Sequence, residues 1–135
     1  MKKSNKVIGL ALIVCDEVIE DKKTSKKSLI GMFNRIVVKE FPCKHPRLHV
    51  FVSLTGGRGE HKVDLRCINQ STRKPLFGAT GKIGFNNPNA IIEVDFDLQN
   101  AVFPEPGNYA FEFLCDDEWV LDRPFVVVKR EEINE

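Results

Sequence analysis

Apolar and polar residues alternate with a period of two along much of this chain. In the clearest segment, 92–98, Ile, Val, Phe and Leu share one side of an extended strand, while Glu and Asp occupy the other side. The same alternation recurs over 48–54, 63–67 and 109–115. This period is typical of half-buried β-strands, and no segment shows convincing helical periodicity. The pattern therefore predicts an all-β chain.

Turn-forming residues divide the first half of the chain into paired strands. The segments 7–21 and 28–38 are expected to form a long hairpin. The two prolines of 41–46 predict a crossover loop, because proline cannot donate a hydrogen bond to a strand ladder. Residues 48–54 and 63–67 are expected to form a second hairpin around the glycine-rich turn that separates them.

The second half contains a glycine-rich strand over 77–85, the strand 92–98 and a C-terminal hairpin. That hairpin opens after the Pro-Glu-Pro-Gly-Asn-Tyr turn at 104–109 and reverses at 116–118. Together the segments give eight or nine short strands, whose economical arrangement is a two-sheet antiparallel immunoglobulin-like sandwich. A closed barrel is the alternative. The length of 135 residues fits one domain, 1–135, in which we expect 7–130 to be the ordered core.

The charge balance narrows the range of partners. Twenty basic and nineteen acidic residues give a formal net charge of +1, which supplies no general attraction to nucleic acid or to an anionic membrane. The densest basic stretch is 22–27, where four lysines follow Glu20 and Asp21. We interpret this stretch as a solvated turn rather than a phosphate site, and we expect neither nucleic acid nor membrane as a partner.

The N-terminal segment resembles a secretory signal, because three lysines precede an apolar run over 7–15. A lipoprotein signal would be cleaved before Cys15, but that processing site requires a small residue where this chain has Val14. The run is also shorter than the roughly 20 residues that a membrane-spanning helix needs. We interpret 7–15 as a strand buried on both faces, which predicts a cytoplasmic protein. An extracytoplasmic lipoprotein is the alternative.

The four cysteines, Cys15, Cys43, Cys67 and Cys115, are widely separated and form no C-x-x-C motif. This spacing argues against a zinc knuckle and against metal binding through thiolates. Cys67 and Cys115 occupy apolar positions of strand patterns, and a disulfide between them would resemble an immunoglobulin bridge. Because a cytoplasmic location favours reduced thiols, we expect free cysteines, although the spacing alone leaves the disulfide open.

The histidines give weak signals for a chemical site. His45 and His49 are four residues apart, but Pro46 and the strand pattern remove the helical geometry that would direct both at one metal. His61 lies beside Glu60, and no cysteine or serine nucleophile is placed to suggest a dyad with it. We therefore expect no catalytic residues, no metal ligands and no cofactor-binding residues.

Two groups of acidic residues could in principle ligate calcium. Asp95 and Asp97 lie on the solvent face of a predicted strand, and the acidic residues of 116–118 are typical of a reversing hairpin, so both groups are interpreted as solvated. The glycine-rich segment 56–59 resembles a phosphate cradle only in composition, because no helix follows it. We interpret it as a hairpin tip.

A hint of binding comes from apolar residues on polar strand faces. Phe51 and Ile91 project toward such faces. If they cluster, they mark a contact surface or the packing site of another strand.

Several segments resemble a known family. The segments 11–16 (Ala-Leu-Ile-Val-Cys-Asp) and 28–33 (Ser-Leu-Ile-Gly-Met-Phe), together with Phe41-Pro42 and the Pro106-Gly107 turn, resemble an uncharacterised family of small bacterial β-sandwich proteins classed as a domain of unknown function. The turn at 104–109 and the aromatics after it are also similar to the end of immunoglobulin-like modules, in which a tyrosine fixes a corner. The resemblance implies a bacterial cytoplasmic sandwich in which Tyr109 is structural, and it brings no functional residues.

Two functional hypotheses follow. The first is a non-enzymatic protein-interaction module, whose loops or exposed edge strand contact a protein partner or a second copy of the chain. The alternative is a small-molecule or carbohydrate-binding sandwich. A deep pocket that holds Trp119, a histidine and two convergent carboxylates would favour the alternative, and a flat charged surface would contradict it.

Overall fold

The computed structural model describes residues 6–132, which form nine β-strands and one short 3-10 helix. The strands are β1 (Ile8–Glu20), β2 (Lys27–Met32), β3 (Arg35–Val38), β4 (Cys43–Thr55), β5 (Gly59–Asn69), β6 (Pro75–Phe85), β7 (Ile92–Phe103), β8 (Gly107–Cys115) and β9 (Glu118–Lys129), and the helix is Arg130–Glu132. The prediction of an all-β chain is confirmed. Within residues 6–132, no helix is long and apolar enough to cross a membrane.

The strands form two sheets. Sheet 1 has the order β2-β1-β4-β7, and sheet 2 has the order β3-β9-β8-β5-β6. Neighbouring strands are antiparallel except for β3, which lies parallel to β9. The prediction of a purely antiparallel sandwich is therefore wrong at this pair.

The parallel pair arises where the chain leaves one sheet for the other. At Phe33-Asn34 the Phe33 N–H donates to the Val14 carbonyl of sheet 1, and the Asn34 carbonyl accepts from the Val126 N–H of sheet 2. A tight hairpin can join only antiparallel strands. The chain enters β3 by crossing from sheet 1 to sheet 2, and not through a hairpin with the strand that β3 pairs with. Its direction is therefore not constrained by a hairpin turn.

The two sheets pack face to face around one apolar core. Four alternating residues of β4, Leu48, Val50, Val52 and Leu54, are fully buried in it, as their pattern predicts. Four aromatic rings contact one another within this core, and the centroids of the contacting pairs are 5.1 to 5.9 Å apart. The rings belong to Phe103, Tyr109, Phe111 and Phe125. Edge-to-face and stacked contacts of this kind add to the stabilisation that burial of the rings provides.

Three pairs of consecutive strands form hairpins, namely β1–β2, β5–β6 and β8–β9. The predicted hairpin between 48–54 and 63–67 is wrong, because β4 belongs to sheet 1 and β5 to sheet 2. The glycine-rich segment 56–59 is therefore a crossing between sheets rather than a hairpin tip. Turn residues reverse the chain, but they do not determine whether the next strand joins the same sheet.

The turn at 104–109 also carries the chain between sheets, from β7 to β8. The Tyr109 hydroxyl donates a hydrogen bond to the backbone carbonyl of Glu105. The tyrosine is fully buried, so this bond both satisfies its hydroxyl and fixes the crossing. The structural role expected for Tyr109 is confirmed.

Two predicted boundaries differ from the structure. The segment 28–38 is divided into β2 and β3, and most of the predicted loop 41–46 belongs to β4, which begins at Cys43. The ladder between β4 and β7 skips Pro46, as expected for a residue without an N–H. A single proline therefore interrupts one rung without ending the strand.

The apolar run 7–15 provides the first half of β1, which lies between β2 and β4 in sheet 1. Val14 and Cys15 are fully buried there. Cleavage before Cys15 would remove residues 8–14 from an inner strand of the sheet. The prediction of a strand is confirmed, but the prediction that it is buried on both faces is wrong for its first residues, because Ile8 and Leu10 are 53% and 50% exposed.

All four cysteines are free. On the adjacent strands β5 and β8, Cys115 lies opposite Val63 and Cys67 lies opposite Phe111. Cys67 and Cys115 are thus separated by the four rungs from 63 to 67, or about 13 Å at 3.3 Å per residue. That distance is too long for the disulfide that the spacing left open.

The distal part of the β1–β2 hairpin, residues 16–31, is called the β1–β2 arm, and it folds over the outer face of sheet 1. Lys27, near the tip of the arm, forms an ion pair of 3.2 Å with Glu93 on the outward side of β7. An ion pair between these two elements requires the arm to lie across the sheet rather than extend away from it.

The arm accounts for burial on the outer face of sheet 1. Cys15, His49 and Phe51 are only 0%, 5% and 8% exposed, although none of them belongs to the apolar core between the sheets. Phe51 is therefore buried, so it does not contribute to an exposed contact surface. Ile91 is 63% exposed, so the two residues do not form one exposed patch.

Candidate functional site

A cleft of about 410 Å³ opens beside the β8–β9 turn. Its lining includes Trp119, His61 and the carboxylates of Asp116 and Glu118, together with Cys115. An indole, a histidine and two carboxylates thus line one open cleft, which meets part of the condition for small-molecule binding. The sequence analysis assigned these residues separately to a hairpin and a turn, whereas the fold brings β5, β8 and β9 together at one place.

The β8–β9 turn is fixed in position by hydrogen bonds to β5. Its two residues, Asp116 and Asp117, have φ angles of +51° and +68°, as a two-residue hairpin turn requires. The Lys62 N–H donates to Asp116 Oδ1 at 3.0 Å, and the Asp116 N–H donates to the Lys62 carbonyl at 2.8 Å. Asp116 is therefore held rigidly, with its second carboxylate oxygen free to face the cleft.

That second oxygen contacts His61. Asp116 Oδ2 lies 2.6 Å from His61 Nδ1, and the Arg58 carbonyl lies 2.9 Å from His61 Nε2. Both neighbours are hydrogen-bond acceptors, so each ring nitrogen faces a lone pair. The hydrogen bond from His61 holds the pKa of Asp116 below its usual value, although partial burial opposes this effect.

Cys115 lies beside this pair and is 5% exposed. Burial, assisted by the negative charges of Asp116 and Glu118, raises the pKa of its thiol to about 11. A nucleophilic cysteine needs a lowered pKa, so this environment does not suit a catalytic thiol. The sulfur, a His61 ring nitrogen and an Asp116 oxygen lie within 4.8 Å of one another, which makes them a possible ligand group for a metal ion.

A second histidine–aspartate pair lies under the β1–β2 arm. His49 Nδ1 donates to Asp95 Oδ1 at 2.8 Å. His49 Nε2 is buried and has no hydrogen-bond partner among residues 6–132, since the nearest carboxylate oxygen, Asp97 Oδ1, is 3.9 Å away. Asp97 is itself bound by both Nε and Nη2 of Arg47. The two aspartates predicted to be solvated are therefore paired, one with a histidine and one with an arginine.

His45 and His49 do not form a common site. His45 lies in a cleft of about 320 Å³ that Phe33, Asp16 and Lys44 also line, and its ring centroid is 6.2 Å from that of Phe33. Burial lowers the pKa of His45, and the charge of Asp16 opposes the shift. The two histidines thus have different neighbours, and because both lie on strand β4 the helical spacing between them has no structural counterpart.

The sequence analysis missed Glu112. This residue is buried on the outer face of sheet 2, where Arg66 Nε and Arg73 Nη2 each donate to its carboxylate at 3.0 Å. Burial raises its pKa, but the hydrogen bonds from both arginines outweigh burial and lower it. A single glutamate in an alternating strand gives no signal of this clamp, because its partners come from 46 and 39 residues away.

The fold and its sites define an all-β two-sheet domain with no assigned chemistry. A family model described as a family of unknown function, DUF6941, matches residues 10–128. The chain therefore belongs to the DUF6941 family. No curated protein matches it.

Proposed function

We propose that this chain is a non-enzymatic protein-interaction module that binds a partner along the free edge of β2. The observation that carries the proposal is the distribution of exposed apolar side chains. Within residues 6–132, three of the nine large apolar residues that are exposed lie where β1 and β2 pair. These three are Ile19, Ile30 and Met32.

The edge strand β2 suits strand addition. It pairs only with β1, so the backbone groups of its other side are available to an extended segment of a partner. Ile30 and Met32 on this strand are 44% and 64% exposed, and Ile19 on the neighbouring strand is 43% exposed. An added strand would cover apolar side chains at alternate positions, which gives strand addition its specificity.

The charges around β2 are mixed. Lys22, Lys23 and Lys26 are exposed in the turn before β2, and Arg35 is exposed beyond its other end. Four acidic residues are exposed on β1 and in the same turn, namely Asp16, Glu17, Glu20 and Asp21. Charge therefore selects no particular partner, and the exposed apolar side chains are what support the proposal.

A photo-cross-linker tests this proposal. Benzoylphenylalanine placed at Met32 is expected to form adducts in host cells with one protein, through an extended segment. The matched control position is Val102, which is 47% exposed on β7 at the opposite edge of sheet 1. The proposal fails if both positions give the same adducts, or if Met32 gives only adducts with this chain.

We also propose a cytoplasmic location, an immunoglobulin-like relationship and a bacterial origin for this protein. Free cysteines that are buried and too far apart to pair, such as Cys67 and Cys115, support a reducing cytoplasm. The tyrosine corner at Tyr109 supports an immunoglobulin-like relationship for β8 and β9. A bacterial origin rests on the sequence resemblance alone.

A second candidate function is small-molecule or carbohydrate binding in the cleft beside the β8–β9 turn. It is favoured by the position of Trp119, which is 60% exposed next to the carboxylates of Asp116 and Glu118. An exposed indole can cover the apolar face of a sugar while carboxylates accept from its hydroxyls.

The fluorescence emission of Trp119 tests this candidate function. Trp119 is the only tryptophan in the sequence, so its emission monitors the cleft without interference from another indole. Titration with a panel of mono- and oligosaccharides is expected to shift the emission for at least one sugar. A panel that produces no shift would contradict carbohydrate binding.

A further inference from the structure

The arrangement around His61 leaves one position that requires a positive charge. Both ring nitrogens of His61 face acceptors, Nε2 the Arg58 carbonyl at 2.9 Å and Nδ1 the Asp116 Oδ2 at 2.6 Å, and a neutral ring can donate to only one of them. Two lone pairs face each other at this distance only when a proton or a metal ion lies between them. A histidine whose second nitrogen donates to a backbone carbonyl is also the usual form of a metal-ligating histidine.

Cys115 supplies a third donor atom at the same position. Its sulfur, one ring nitrogen of His61 and one carboxylate oxygen of Asp116 lie within 4.8 Å of one another. Within the part of the chain from 6 to 132, no hydrogen bond engages this buried sulfur. An unpartnered buried sulfur that faces a histidine–aspartate pair is what distinguishes this position from an ordinary surface ion pair.

We propose that His61 Nδ1, Asp116 Oδ2 and Cys115 Sγ form a binding site for a zinc-type divalent transition-metal ion. Sulfur, imidazole and carboxylate donors are the set that Zn²⁺ accepts, with the cleft supplying its fourth ligand as water. In a tetrahedral site the donor atoms are about 3.5 Å apart. The His61–Asp116 contact therefore opens by about 1 Å, and the sulfur moves toward it.

Binding of the metal ion releases two protons. The metal–sulfur bond replaces the S–H bond of Cys115, and the metal takes the place of the proton between His61 and Asp116. Both protons pass to solvent, and no oxidation or reduction is involved. The site lies away from β2, so this inference does not rest on the proposed protein-interaction function.

Cobalt provides the direct test, because a thiolate bound to Co²⁺ gives a characteristic charge-transfer absorption. Metal-free protein titrated with Co²⁺ is expected to take up one equivalent with this absorption, and Zn²⁺ is expected to displace it. Cys115→Ser should abolish the absorption and weaken uptake at least about tenfold. Cys43→Ala is the matched control and should behave as the unaltered chain, because Cys43 lies outside the cleft.

A second variant keeps the proposal falsifiable if Cys115→Ser does not fold. Asp116 has a positive φ, which asparagine tolerates, so Asp116→Asn preserves the turn and removes the anionic ligand. It should also weaken Co²⁺ uptake at least about tenfold. Unaltered protein that takes up no Co²⁺, or a thiolate absorption unchanged in both variants, would overturn the inference.

Discussion

The molecule contains two histidine–aspartate pairs, one on each sheet, and their surroundings give them opposite properties. His49 and Asp95 join β4 to β7 beneath the β1–β2 arm, and the second histidine nitrogen there is buried without a partner among the described residues. His61 and Asp116 join β5 to the β8–β9 turn, and both histidine nitrogens have a neighbour. The same two residue types thus give a buried polar contact in one place and an accessible donor group in the other.

The difference shows that access and neighbours, rather than the pair itself, decide what a histidine–aspartate contact can do. The His49 side chain is 6% exposed and faces a carboxylate already bound by Arg47. The His61 side chain is 15% exposed and lies in a cleft with Cys115. We therefore expect substitutions at the first pair to change stability and those at the second to change ligand uptake.

The largest expected effect comes from breaking the buried pair. Asp95→Ala leaves His49 buried with neither nitrogen bonded, which should lower the free energy of unfolding by about 1–3 kcal/mol. Equilibrium unfolding in urea measures this change. The matched control is Asp97→Ala on the same face of β7, which removes only an exposed ion pair with Arg47 and should cost less than about 1 kcal/mol. Equal losses in the two variants would contradict the special status of His49.

A double substitution separates the contribution of the His49–Asp95 contact to stability from any other contribution of Asp95. In a His49→Leu background no buried ring nitrogen remains to be left unpaired, so adding Asp95→Ala should cost less than about 0.5 kcal/mol. The same urea experiment, arranged as a double-mutant cycle, gives the coupling between the two residues. A full loss in the leucine background would show that Asp95 stabilises β7 by some other contact.

The dependence of stability on acid pH tests the contact between His61 and Asp116. The folded-state pKa of Asp116 lies below its ordinary value of 3.8 because His61 donates to it. Its contribution to stability is therefore complete above about pH 4 and is lost as the pH falls through the lowered folded-state pKa. Asp116→Asn should flatten the acid decline in unfolding free energy, by a small amount because the carboxylate is exposed. An unchanged acid slope in this variant would contradict the His61 contact.

The smallest expected effect is at the tip of the β1–β2 arm. Glu93→Gln removes an ion pair with Lys27 that solvent partly screens, so global stability should fall by only a few tenths of a kcal/mol. Local opening of the arm should nevertheless increase, and hydrogen exchange of residues 16–31 measures it. Exchange that stays unchanged would show that the ion pair does not hold the arm over His49.

The sequence predicts the strands well and their pairing poorly. Alternation identifies 48–54 and 92–98 as strands with one buried face, because side-chain direction follows from the backbone period alone. It does not reveal that β4 and β5 lie in different sheets, since that depends on where the apolar faces meet. The parallel β3–β9 pair was missed for the same reason.

The candidate site could be predicted only in part. Trp119 was visible in the sequence as a possible part of a pocket, whereas the acidic turn at 116–118 was interpreted as solvated. His61 lies 55 residues from Asp116, so their contact could not be predicted. The sequence analysis placed His61 beside Glu60 and found no partner, because contacts across neighbouring strands depend on register. Likewise, the expectation that the cysteines are free is confirmed, whereas the position of Cys115 beside His61 required the fold.

The most direct test of the contrast between the two pairs is crystallographic. Crystals of the protein soaked in Zn²⁺ and measured at the zinc absorption edge should show an anomalous peak between His61, Cys115 and Asp116. They should show none at His49, whose free nitrogen is buried. A peak at His49, or no peak in the cleft, would contradict the assignment of ligand binding to the His61–Asp116 pair.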